Sequence, residues 1–156
     1  MKNDLPFSII KQPAAVLRKK ARRIKRVTDE HRLILEKMVA AMKKSKGMGL
    51  AGPQVGLDLQ IAVVDTGEGL LKIINPSIVK KDGYDTMDEA CLSVPNALVR
   101  VKRSGRITVK YTDEWGKQAT RIFVGLTAKA IQHEVDHLNG RLIVDYQPWY
   151  KRIFKQ

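Results

Sequence analysis

Two spacings of apolar residues run through this chain. Leu35, Met38, Val39 and Met42 recur every three or four positions, which places them on one face of a helix. Thr28 stands before this stretch as an N-cap, with Asp29 and Glu30 favourably placed in the first turn. The helix is expected to run to about Lys46 and stop at Gly47. Beyond it, short runs rich in Val and Ile predict strands at 60–65, 70–75, 98–103, 106–112 and 120–124. Gly105 and the Asp113–Gly116 stretch supply turns between the later ones. Helical spacing returns with Ile131, Val135 and Leu138, in a segment that opens at Thr127 and closes at Asn139-Gly140. Helix, strands, helix is the order of an α+β fold. We expect antiparallel sheets packed around a central C-terminal helix, with the N-terminal helix outside. The chain has 156 residues and neither repeat nor linker, which fits a single domain over 1–156.

Composition narrows the class. Hydrophobic residues make up 44% of the chain, too many for a disordered protein. No apolar run approaches the roughly 20 residues that cross a bilayer, and the start lacks the layout of a secretory signal. The single cysteine, Cys91, cannot form an internal disulfide. A soluble protein of a reducing compartment is expected, cytoplasmic, or organellar if the source is eukaryotic, with no membrane partner. The net charge of +13 is lopsided: residues 1–46 hold 14 Lys/Arg against 4 Asp/Glu. From Arg18 to Arg26 only Ala21 and Ile24 are uncharged. Such a stretch is either a solvated basic face or a surface for phosphates.

The chemistry lies in the late helix, which reads Gln132-His133-Glu134-Val135-Asp136-His137. Residues four apart share a helical face, so both imidazoles can hold one metal ion while Glu134 reaches its water. This is the H-E-x-x-H arrangement of metallohydrolases. A third ligand is needed. The metzincin position three residues past Gly140 is Ile143, which cannot ligate, and Asp145 is close in sequence, which leaves Cys91. Two imidazoles and a thiolate suit Zn2+, Fe2+, Ni2+ or Co2+. A zinc endopeptidase and an RNA-binding protein with a relict site are the competing readings.

Three segments together resemble the peptide deformylase family. They are Gly47-Met48-Gly49-Leu50-Ala51-Gly52-Pro53-Gln54, Glu89-Ala90-Cys91-Leu92-Ser93 and Gln132 to Leu138, in the family's order. The resemblance covers about residues 8 to 148. It implies a hydrolase that removes the formyl group from the N-terminal formylmethionine of nascent polypeptides. It also implies that Cys91, His133 and His137 hold the metal, Fe2+ in the cell, and that Glu134 is general base and then acid for the metal's water. The Gln54 amide and the Leu92 N–H would stabilise the oxyanion. Met48, Gly49 and Ala90 would lie beside the peptide, and Met87 and Leu126 would help line a slot for methionine. Glu89 is expected to pair with Arg103 behind the ligands. Two positions depart from the family. Ala90 replaces a glycine, a strained choice if φ there is positive, on the order of 1 kcal/mol. Gly52 replaces an alanine and is expected to loosen its loop. The basic stretch and the Tyr150–Lys155 tail are expected to make weak, salt-sensitive contact with ribosomal RNA.

Overall fold

The computed structural model describes residues 7–153. Helix α1 spans Asp29–Lys44, and its entry is held by the Thr28 N–H, which donates to His31 Nδ1 at 3.0 Å. Its buried stripe contains Leu35, Met38, Val39 and Met42, as the spacing requires. The helix closes two residues earlier than expected, because Lys46 takes the left-handed conformation (φ 55) that Gly47 was expected to provide.

Seven strands follow: β1 (Gly49–Ala51), β2 (Ile61–Val64), β3 (Leu71–Asp82), β4 (Asp85–Cys91), β5 (Val94–Arg103), β6 (Arg106–Thr112) and β7 (Gln118–Val124). All pair antiparallel, in a five-stranded sheet ordered β1-β2-β3-β6-β7 and a separate β4-β5 hairpin. Strand β3 runs well past its expected end at Asn75. There the pairing with β6 shifts register, Asn75 adopts φ 51, and its side chain binds the backbone N–H and C=O of Ile24. That irregularity lets the strand continue through Pro76, which cannot donate to a ladder.

Helix α2 spans Gly125–Leu138. It begins two residues before Thr127, with Val124 as its N-cap, because the Thr127 hydroxyl is engaged by Thr66 (2.6 Å) and Glu68 (3.0 Å) rather than by the helix start. A short α3 (Trp149–Ile153) follows; Phe154 and Lys155 of the expected basic tail lie outside the described residues.

The five-stranded sheet is clamped between the two long helices. All four residues of β2 are buried, with Ile61 and Val63 facing α1 and Ala62 and Val64 facing α2. Ala128, Ile131 and Leu138 of α2 fill that second side with Ile73, Ile107 and Val109. A third cluster seats Cys91 among Leu17, Val99, Val101, Leu142 and Ile143, beneath the β4-β5 hairpin. The hairpin and the sheet therefore meet α2 from two sides, which is the α+β arrangement expected. No described helix is long and apolar enough to cross a membrane.

Candidate active site

Helix α2 presents His133, Glu134 and His137 toward Cys91 at the end of β4. His137 Nε2 lies 3.3 Å from Cys91 Sγ and 3.2 Å from His133 Nε2. The three ligand atoms all fall within 4.8 Å of one another. A tetrahedral ion with ordinary bonds to nitrogen and sulfur needs ligand–ligand edges of roughly 3.4 to 3.6 Å, so the triangle fits with minor adjustment. Cys91 reaches this position because β4 and β5 shift register between Glu89 and Cys91, just before the turn at Leu92-Ser93.

The electrostatics suit a cation. Burial opposes a charge on His133, yet Cys91 and Glu89 outweigh it and raise its pKa to about 10. Burial, reinforced by charge on His133, drives the His137 pKa well below its ordinary value, keeping its ring neutral. His133 Nδ1 meets Glu89 Oε2 at 3.0 Å, which fixes the ring and turns Nε2 toward Cys91 and His137. Glu89 in turn accepts two hydrogen bonds from Arg103, at 2.7 and 2.9 Å. Burial works against the Glu89 carboxylate, but Arg103 and His133 prevail and hold its pKa at about 2. Arg103 also donates to Asp136 at 2.7 Å, and Tyr146 donates to the same Asp136 oxygen at 2.6 Å. Sequence reasoning placed Arg103 beside Glu89 but passed over Asp136 and Tyr146. Asp136 sits within the helix motif, one residue before His137, and its position there was the available signal.

Glu134 is 3% exposed, and burial raises its pKa to about 7, with His133 and Arg103 offsetting part of the effect. Its Oε2 has no partner among the described residues, and neither has His137 Nδ1. A buried carboxylate oxygen with nothing to accept from the protein is a group prepared for a proton from elsewhere. Gly49 makes room for it: a Cβ at that position would lie 2.9 Å from Glu134 Cδ and 3.0 Å from Cγ. Gln54, 2% exposed, is oriented by accepting from the Ala51 N–H at 2.9 Å, so its Nε2 points at Ser93 Oγ (3.2 Å) and Cys91 Sγ (3.8 Å).

A cleft of about 340 Å³ opens on this group. Met48, Gly49, Met87, Ala90, Leu92 and Leu126 line it together with the residues above. Lys46 and Lys129 stand on the same lining; Lys129 is tied to Asp85 at 2.6 Å. Ala90 carries no positive φ, so the strain foreseen for a non-glycine residue does not arise; its side chain is exposed on β4. Gly52 does not loosen its loop. It is buried, and a Cβ there would come 2.7 Å from the Leu59 carbonyl oxygen and 3.0 Å from Ile61 Cγ2. Neighbouring chain has closed onto the space an alanine would fill.

The family model for polypeptide deformylase matches residues 6–152. The chain belongs to the polypeptide deformylase family. It is 45% identical over 132 residues to a peptide deformylase of Halothermothrix orenii, covering 83% of this chain and 86% of that one. Among solved structures, a peptide deformylase from Thermotoga maritima superposes with a TM-score of 0.89 at 36% identity, covering 92% of this chain and 99% of its own. One from Ehrlichia chaffeensis, in complex with actinonin, reaches 0.92 at 33% identity, covering 96% and 92%. The family is metal-dependent, and the Cys91, His133 and His137 cluster is where this member can hold its ion.

Proposed function

We propose that this chain hydrolyses the formyl group from the N-terminal formylmethionine of nascent polypeptides, with Cys91, His133 and His137 holding one divalent ion and Glu134 moving the protons. The observation that carries this reading is the convergence of the three ligand atoms within 4.8 Å, next to a buried carboxylate whose second oxygen has no partner among the described residues. When bound, the metal supplies a Lewis acid that polarises a carbonyl oxygen and lets water lose a proton near neutral pH.

Glu134 accepts the proton from the attacking water, and the oxygen of that water bonds to the formyl carbon. Glu134 then returns the proton to the nitrogen as the carbon–nitrogen bond breaks, leaving a free amine and formic acid, which ionises to formate. The negative charge on the former carbonyl oxygen falls to the Gln54 amide and the Leu92 N–H. Neither group titrates, and one such donor contributes about 3 kcal/mol. Gln54 suits the role because the Ala51 N–H has already fixed which end of its amide faces Cys91. Met48, Met87 and Leu126 supply an apolar wall for the methionine side chain. Glu89 and Arg103 act through His133 by holding its ring.

Ferrous iron is the ion we propose for the cell, with Zn2+, Ni2+ or Co2+ able to take the same ligands. The proposed compartment is the cytoplasm, or an organelle in a eukaryote. The proposed weak contact with ribosomal RNA rests on exposed residues of the basic stretch, chiefly Lys19, Lys25 and Arg26. Co-sedimentation with ribosomes at low salt tests that contact, and its absence there removes it.

The deciding experiment is deformylation of formyl-Met-Ala-Ser by protein prepared without oxygen and loaded with ferrous iron or nickel. Turnover that vanishes in Glu134→Ala supports the reaction and the role of that residue together. A metal-loaded protein without turnover overturns the reading.

A further inference from the structure

A second cavity, about 580 Å³, lies on a different face of α2 and shares no lining residue with the cleft. Its volume is that of a small-molecule site. Lys20, Arg23, Lys81, Lys102 and Arg141 line it, and none of the five has a carboxylate partner among the described residues. The one carboxylate in the lining, Asp136, is already taken by Arg103 and Tyr146.

The basic stretch near the N-terminus is thus divided by the fold. Arg18 and Arg22 are consumed by Asp145 and Asp58, while Lys20, between them, and Arg23, just after, are left to the cavity. Two of the five cations rest on ring faces, Lys102 over Tyr84 at 4.8 Å and Arg141 over Tyr146 at 4.1 Å. A ring face positions a cation without neutralising it.

A separate observation comes from Ser104, which also lines this cavity. It is 1% exposed, and its backbone N–H and C=O are both bound by the Gln132 amide, at 3.0 and 2.8 Å. Its hydroxyl, however, has no partner among the described residues. A buried hydroxyl without a partner and a concentration of like charge both cost stability unless something supplies acceptors and negative charge.

We propose that this cavity binds a polyphosphate anion, two or more linked phosphate groups, either free or at the end of a nucleotide. The five cations neutralise it and the Ser104 hydroxyl donates to one of its oxygens. The recess favours a short anion over an RNA strand, which would need a continuous basic track. The inference does not depend on the reaction in the cleft.

Calorimetric titration of the zinc-loaded full chain at low ionic strength tests it, using inorganic tripolyphosphate, adenosine triphosphate and orthophosphate, with zinc content measured afterwards. We expect one saturable site per chain for tripolyphosphate, zinc retained, and weaker binding of orthophosphate. A preference for tripolyphosphate or for adenosine triphosphate identifies the source of the phosphates. Lys20→Ala/Lys81→Ala is expected to weaken binding by about tenfold or more, whereas Lys43→Ala/Lys44→Ala, which removes the same charge from the end of α1, changes it by less than about twofold. Ser104→Ala is expected to weaken binding without lowering the melting temperature of the free protein. No saturable binding, loss of zinc in place of binding, or equal weakening by the two double variants would overturn the proposal. So would tight binding of a single-stranded RNA that Lys20→Ala/Lys81→Ala abolishes and tripolyphosphate fails to displace.

Discussion

Removing the Arg103 guanidinium tests the chain of contacts behind the proposed metal ligands. In Arg103→Met the stem is kept and the donors to Glu89 and Asp136 are lost. The Glu89 side chain is only 8% exposed, so little water replaces them. Holding that carboxylate at about 2 instead of its ordinary 4.5 corresponds to roughly 3 kcal/mol, an upper figure for Arg103 because His133 supplies part of the lowering and residual hydration screens the pair. Breaking a buried ion pair costs about 3–5 kcal/mol, so the two estimates meet near 3. The sign with pH is fixed. Glu89 has a lower pKa folded than unfolded, so its stabilisation is complete above 4.5 and is lost as pH falls toward 2. Urea denaturation of the zinc-loaded protein should show the gap between wild type and variant widest at neutral pH and shrinking on acidification. Arg103→Met/Glu89→Gln should recover part of the loss, since no buried carboxylate is then left alone at that position. Zinc affinity of Arg103→Met should fall about 10–100-fold, because the Glu89 carboxylate that meets the His133 ring has lost the two bonds that fix it. A loss below about 1 kcal/mol at pH 7, or a gap that widens on acidification, would refute this account.

Four further outcomes follow. Gly49→Ala pushes a methyl group into the Glu134 side chain and should lower turnover on formyl-Met-Ala-Ser by about 100-fold or more, with metal content retained on elemental analysis. Gly52→Ala, although it brings in the residue usual in the family, should destabilise by about 1–3 kcal/mol in thermal melts, because the Leu59 carbonyl occupies the space. Cys91→Ser should cut zinc affinity sharply in a chelator competition. Peroxide should inactivate the wild type with oxidation at Cys91 visible by mass spectrometry.

The helices were the most readable part of the sequence. Both pair a long apolar stripe with a recognisable end, and the errors were two residues at one end of each. Strand β4 was hidden for a physical reason. Its buried positions are Glu89 and Cys91, so the residues that face inward are site chemistry and no apolar alternation marks the strand. Strand β3 runs past its expected end at Asn75 because the Asn75 side chain sustains a register shift by binding Ile24, a contact no local pattern encodes. Within the site, helical spacing brought His133 and His137 together in advance, and the segment around Cys91 identified the third group. The contacts of Gly49 with Glu134 and of Asp136 with Arg103 join segments far apart in sequence, and no local pattern encodes them. The same holds for the basic stretch, which looks uniform along the chain and is divided only when Asp58 and Asp145 fold back onto it.

The place of β1 in the sheet bears on how widely such an enzyme could act. This three-residue strand is the edge of the five-stranded sheet, and Met48 and Gly49 at its start also line the cleft. An edge strand presents main-chain donors and acceptors to whatever extended chain lies beside it. Main-chain groups are the same in every residue but proline. Past the first side chain, a peptide bound along β1 would be gripped by what all sequences share, so discrimination would end after one residue. A single catalyst could then serve a whole proteome, and only a proline placed against a β1 acceptor would register as an error.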